Sequence, residues 1–148
     1  MPSFRHQSRQ LVLQALFAEE FQPDNKSGFL DYIIDNFGSN LPEIEFTKKL
    51  YWQVKANLSK SLEIITEYAP DWPIEKIAVC DKYILCIGLT ELLFFQEAPA
   101  LVALNEAIEL AKDFGNDNSS KFINAVLSKA VSQKLGEEVL DKPKVNAK

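Results

Sequence analysis

The chain has 148 residues, with 16 Lys and Arg against 21 Asp and Glu, for a formal net charge of −5. That length fits one domain, while 47% hydrophobic and 25% charged residues exclude a disordered chain. No apolar run approaches the ~20 residues of a membrane helix, and the acidic balance argues against a nucleic-acid binder, whose domains are usually basic.

Helical periodicity dominates in chain order, and strand alternation is nearly absent. Leu11, Val12, Ala15, Leu16 and Ala18 form the apolar stripe of a first helix, with Ser3 as its N-cap. Arg9 and Gln10 interrupt the N-terminal apolar stretch, so no secretory leader is expected. Pro23 to Gly28 reads as a loop, and a short helix with Phe29, Leu30, Ile33, Ile34 and Phe37 then stops at Gly38. Pro42 suits the first turn of a third helix, and Leu58 to Ala69 forms a fourth.

Pro70-Asp71-Trp72-Pro73 breaks that helix and opens the longest one, Ile74 to about Phe95. Its apolar density predicts a central, buried helix. Gly88 inside it costs about 1 kcal/mol against alanine, which predicts close approach of a neighbouring helix. Ala98 to Phe114 forms the next helix, with Pro99 at its start and Gly115 at its C′ position. Asn118, Ser119 or Ser120 caps the last helix, which Gly136 ends. Glu137 to Lys148 is a charged tail with no period, expected to be frayed. The expected fold is all-α: about seven helices in two small subdomains over residues 1–136, followed by the tail at 137–148.

The charge is unevenly spread. Asp71 to Ala111 carries only Lys76 and Lys82 against seven acids, while Lys112 to Lys148 is net +2. Catalytic chemistry is poorly served. His6 is the single histidine and lies in an end expected to be flexible. Cys80 and Cys86 are six apart and cannot share a metal, and two cysteines are too few for a disulfide framework, which fits a reducing cytoplasm. The isolated glycines exclude a phosphate-binding loop. Glu106 and Glu109 read as a solvated helix face. No enzyme, metal or cofactor is expected.

Two clusters remain. Arg5, His6 and Arg9 share the first turns, with Phe17 further along; cations and an aromatic are the minimum for single-stranded RNA. Asn118, Ser119, Ser120, Lys121 and Phe122 lie at a helix N-terminus, where unpaired amides favour an anion.

Together these segments resemble the NusB family of transcription antitermination factors. Arg9-Gln10-Leu11-Val12-Leu13-Gln14-Ala15-Leu16-Phe17 is similar to the family's first helix. Asp81-Lys82-Tyr83-Ile84-Leu85-Cys86-Ile87-Gly88-Leu89-Thr90-Glu91-Leu92 is similar to its long buried helix. The most specific match runs from Val102 through Asn105-Glu106-Ala107 to Phe114-Gly115, and on through Lys121-Phe122-Ile123-Asn124-Ala125-Val126-Leu127.

The resemblance implies an RNA-binding adaptor without catalysis. It would bind boxA-type single-stranded RNA of ribosomal RNA transcripts with the tenth small-subunit ribosomal protein (NusE), and join the transcribing RNA polymerase complex in the cytoplasm. Carried over by position, the RNA face comprises Arg5, His6, Arg9, Phe17, Asn118, Lys121 and Phe122. The ribosomal protein would contact Glu75, Lys76 and Asp81, an acidic stretch that complements a basic partner. Asn105 and Asn124 are expected to make buried inter-helix hydrogen bonds.

The chain also departs from the family pattern. Cys86 replaces an arginine, Thr90 a tyrosine and Ala125 a glycine, which would set the neighbouring helix further off. The N-terminal arginine cluster is thinned, which predicts poor RNA binding by the chain alone. The rivals are a helical protein scaffold with reduced RNA affinity, and an accessory domain akin to the N-terminal domain of ribosomal RNA cytosine methyltransferases.

Overall fold

The structure, a computed structural model, describes residues 3–22, 26–38 and 41–136, with side chains left out at 26–28. The expected tail at 137–148 lies outside the described residues. Among the described residues seven α-helices run in order: α1 Phe4–Phe21, α2 Lys26–Phe37, α3 Ile44–Ala56, α4 Leu58–Tyr68, α5 Val79–Leu89, α6 Ala100–Phe114 and α7 Ser119–Leu135. No strand occurs among the described residues. The all-α expectation holds.

Helix α5 sits at the centre and touches α1, α3, α4, α6 and α7. Ile84, Leu85, Cys86, Ile87 and Leu89 are buried on every side of it, as its apolar density predicts. Helices α1, α2 and α3 pack together on one side, while α6 and α7 pack together on the other. The two groups share one continuous apolar cluster, from Leu11 through Val131.

Gly88 accounts for the closeness. A Cβ there would meet Leu127 Cδ1 at 2.7 Å and the Ala107 Cβ at 3.4 Å, so α6 and α7 both close onto α5 at the missing side chain. Ala125 is exposed rather than buried at a helix contact, where the expected spacing effect would arise. Gly115 ends α6 with φ −98°, ordinary for any residue, rather than in a left-handed cap. Gly136 has φ 102° and does need glycine's freedom.

The expected long helix from Ile74 is three pieces. Ile74–Lys76 is a 3₁₀ turn, Ile77 and Ala78 are extended, and α5 begins only at Val79. At its far end Thr90–Phe94 forms a wide π turn, closed by Phe95 N–H donating to the Thr90 carbonyl at 2.7 Å. The Thr90 hydroxyl donates back to the Cys86 carbonyl at 2.7 Å, a bond that bends helices. Lys26–Gly28 is already helical, where composition suggests a loop. Pro42 lies one residue before the Glu43 cap of α3 rather than in its first turn.

Candidate nucleic-acid and partner interface

The first cluster is built on the opening turns of α1. The Ser3 hydroxyl accepts from the His6 amide at 3.0 Å, the N-cap the sequence predicts. That cap starts the helix at Phe4 and puts Arg5, His6 and Arg9 on turns that face other helices. Each meets carboxylates.

Arg9 is 2% exposed and grips Glu91 with two prongs, Nε to Oε2 at 2.6 Å and Nη2 to Oε1 at 2.8 Å. Its Nη1 lies 3.3 Å from Glu106. Burial alone would pull the guanidinium's pKa down. The Glu91 bond, reinforced by the charges of Glu91 and Glu106, outweighs it and raises the value. Arg9 is therefore a buried clamp between α1 and the π turn, not an open phosphate contact as the helix spacing suggests.

His6 is 7% exposed, its Nδ1 2.5 Å from Glu106 and its Nε2 2.8 Å from Asp113. The expected flexible end is anchored instead, because two α6 carboxylates hold both ring nitrogens. Gln10 donates to the same Asp113 oxygen at 3.0 Å. Glu106, expected on a solvated face, is thus drawn inward by His6 and Arg9, while Glu109 stays exposed and pairs with Lys112.

Arg5 alone keeps a third of its side chain in solvent. Its Nε donates to Glu43 at 2.8 Å, Glu97 stands 3.9 Å away, and its guanidinium lies 4.2 Å from the Phe46 ring centre. Phe17 is exposed and rests against Phe21 at 5.0 Å. Twelve residues along α1 from Arg5, it stands about 18 Å further up the axis at 1.5 Å per residue.

The second cluster joins two stretches distant in sequence. A cavity of about 310 Å³ is lined by Trp72, Lys76, Ile77, Ala78 and Asp81 on one side and Asn116, Asn118, Ser119 and Phe122 on the other. Trp72 is 54% exposed, and its ring meets Phe122 edge-on at 6.4 Å. The Ser119 hydroxyl accepts from the Asn116 amide at 3.0 Å, and the Asn116 side chain accepts from the Asn118 amide at 2.9 Å. These bonds shape the turn into α7 without the Asn118 side chain, which makes no cap bond and stays exposed. Asp81 is 8% exposed, and its Oδ1 is buried with no hydrogen-bond partner.

This cavity brings together residues that the sequence assigns to two separate surfaces. Asn118 and Phe122 are expected to face RNA, and Lys76 and Asp81 a protein; they line one pocket. Lys121 is exposed beside Phe122, and Glu75 is exposed beside Lys76. In the sequence Trp72 stands out only as part of a helix break; its neighbour Pro73 masks the value of an aromatic there. Asn105 and Asn124 are exposed rather than buried, and Asn124 accepts from Ser128 on its own helix at 3.0 Å. Among the described residues no group of three or more His, Cys, Asp or Glu is placed to hold a metal. Cys86 is buried and its thiol is pushed up to about 12 by desolvation. No described helix is long and apolar enough to cross a membrane.

The fold is an all-α bundle with a cavity where the N-terminal ends of α5 and α7 meet. The chain belongs to the NusB family, whose family model matches residues 6–132. It is similar to the transcription antitermination protein NusB of Campylobacter jejuni, 38% identical over 130 residues, covering 88% of this chain and 97% of the relative. The T. maritima NusB structure superposes with a TM-score of 0.82 at 30% identity, covering 95% of this chain and 99% of that one. A structure of antitermination factors NusB and NusE in complex with dsRNA shares the fold, with a TM-score of 0.80 at 19% identity over 90% and 99% of the two chains.

Proposed function

We propose that this chain is a transcription antitermination factor that binds boxA-type single-stranded RNA of ribosomal RNA transcripts together with the ribosomal protein NusE. It acts as a cytoplasmic binding adaptor, not an enzyme, within the transcribing RNA polymerase complex. The observation that carries this reading is the group of exposed Asn118, Lys121 and Trp72 with the half-buried Phe122, set beside Lys76 and Asp81. Aromatic faces with flanking cations are what a single strand needs for stacking and phosphate contact. The relatives' shared name supports the role. The NusB and NusE complex with RNA, which has the same fold, supports the pairing of partners.

One observation bears on how strongly the chain binds RNA by itself. Arg5, His6 and Arg9 all face carboxylates of this same chain. Each cation withheld from phosphate in this way flattens the salt dependence by about 0.7 in log–log slope for a single strand. The chain alone is therefore a poor RNA binder, and a better one when a basic ribosomal protein adds its charge. An electrophoretic shift with boxA-type RNA at low salt, with and without NusE, tests the proposal. A shift strengthened by NusE and weakened by Lys121→Ala supports it. No shift in either lane overturns it in favour of the scaffold.

A further inference from the structure

One face of α3 stays open to solvent. The side of the helix that packs on α1, α4, α5 and the π turn buries Phe46, Thr47, Leu50, Tyr51 and Val54. Opposite it Glu45, Lys48, Lys49, Trp52 and Ala56 are all exposed. At 3.6 residues per turn these five fall within about 100° of arc, so they form one strip along the helix.

Trp52 stands in the middle of that strip and is 56% exposed. Its ring meets the buried Tyr51 ring edge-on at 4.8 Å, which steadies the indole. A lone exposed ring is ordinary on a protein surface. What sets this one apart is its company. Lys48 and Lys49, one turn before it, form no ion pair among the described residues, whereas Arg5, Arg9, Lys55 and Lys82 each meet a carboxylate of this chain. Glu45 is the strip's single acid, so the strip is net positive on a chain of net charge −5.

The strip is also continuous with the opening of α1. Lys49 lines a cavity of about 390 Å³ together with Arg5 and Phe46. Two acids of that cavity, Glu43 and Glu97, turn to Arg5 and leave Lys49 alone. A protein partner would want an apolar centre poor in lysine, and the strip offers one ring among lysines. A nucleic-acid strand wants what is present: a ring for stacking and open cations for phosphates.

We propose that the exposed face of α3 is a platform for single-stranded RNA, where one base stacks on Trp52 and Lys48 and Lys49 take neighbouring phosphates. The proposal rests on the reading that the chain binds single-stranded RNA, and it carries the strand from Arg5 along α3. Stacking on Trp52 is tolerant of sequence, because every base has a face to offer.

The test is fluorescence polarisation with a labelled boxA-type strand and the full chain, with and without the ribosomal protein, whose own binding is measured alongside. Trp52→Ala should weaken RNA binding at least about fivefold, the low end of what a stacked base is worth. Trp52→Phe keeps a ring and should recover most of that loss. RNA should also quench the tryptophan emission of the parent more than that of Trp52→Phe. Lys48→Ala with Lys49→Ala should lower the log–log salt slope by about 1.4, two phosphate contacts at about 0.7 each. Lys129→Ala, which removes an exposed lysine on α7, should leave the slope as it is. Thermal melts that match the parent show that each variant is folded.

Parent-like affinity in Trp52→Ala, or a salt slope unmoved by the lysine pair, overturns the platform and leaves the RNA-binding reading standing. A slope that falls as far in Lys129→Ala as in the pair reports overall charge and also overturns it. Loss of ribosomal-protein binding, with RNA binding by the chain alone unchanged, assigns the face to the protein and overturns it too. Failure of every form to bind RNA, with or without the ribosomal protein, overturns the RNA reading and the platform together.

Discussion

Arg9 and Glu91 form a two-pronged, fully buried ion pair that ties α1 to the π turn after α5. Their separation of 82 residues makes the pair a long-range staple of the fold. Removing one partner strands the other charge in a dry interior.

Arg9→Ala should therefore destabilise the chain by about 3–5 kcal/mol, the usual cost of breaking a buried pair. Replacing both members by apolar residues of similar size, Arg9→Met with Glu91→Leu, should recover most of that loss. Urea unfolding of the singles and the double measures the coupling. Full additivity would show that the two residues do not act as a pair. Any RNA-binding loss in Arg9→Ala reports folding first, whereas Arg5→Ala probes the surface.

Gly88→Ala would place a methyl group against Leu127 and Ala107. Alanine gains about 1 kcal/mol of helix propensity, while overpacking costs about 1–3 kcal/mol. Leu127 is wholly buried and has little room to turn aside, so a net loss of about 1 kcal/mol is expected. Thermal unfolding checks it, and a stabilised variant would show that α6 and α7 can move apart there.

Glu20 accepts from the Tyr83 hydroxyl at 2.6 Å and from Lys82 at 3.2 Å. The tyrosine bond, ahead of the lysine, holds its carboxyl below the ordinary value of 4.5. A lowered carboxylate value gives stability that is present above the ordinary value and lost as pH falls through the folded one. Tyr83→Phe should cost about 1 kcal/mol at neutral pH. The gap from the parent should begin to close as the pH falls past the ordinary carboxylate range and be gone once the pH has passed through the lowered folded value of Glu20. Melts across that range decide; a gap constant with pH would mean packing, not the carboxylate, carries the effect.

The sequence is readable where local pattern decides the structure. Ser3 caps α1, Gly88 marks the close approach, and the apolar density of Ile84 to Leu89 places α5 at the centre. It is unreadable where charge pairs span the chain. Nothing near His6 shows that Glu106 and Asp113, 100 and 107 residues away, will hold its ring. The same holds for Asp81 and Phe122. Helical spacing places each on its own helix, but only the docking of α5 against α7 makes them walls of one cavity.

The π turn at Thr90–Phe94 has a consequence for the arginines at the other end of the chain. A wide turn adds one residue to the ladder, and one residue is about 100° of helix rotation. Phe95, just past it, stacks on Phe46 at 6.1 Å, and Phe46 in turn lies beneath both Arg5 and Arg9. Unbroken α-geometry would swing Phe95 away and leave Phe46 unsupported. A single slip in backbone register thus lays the aromatic floor on which both guanidiniums rest.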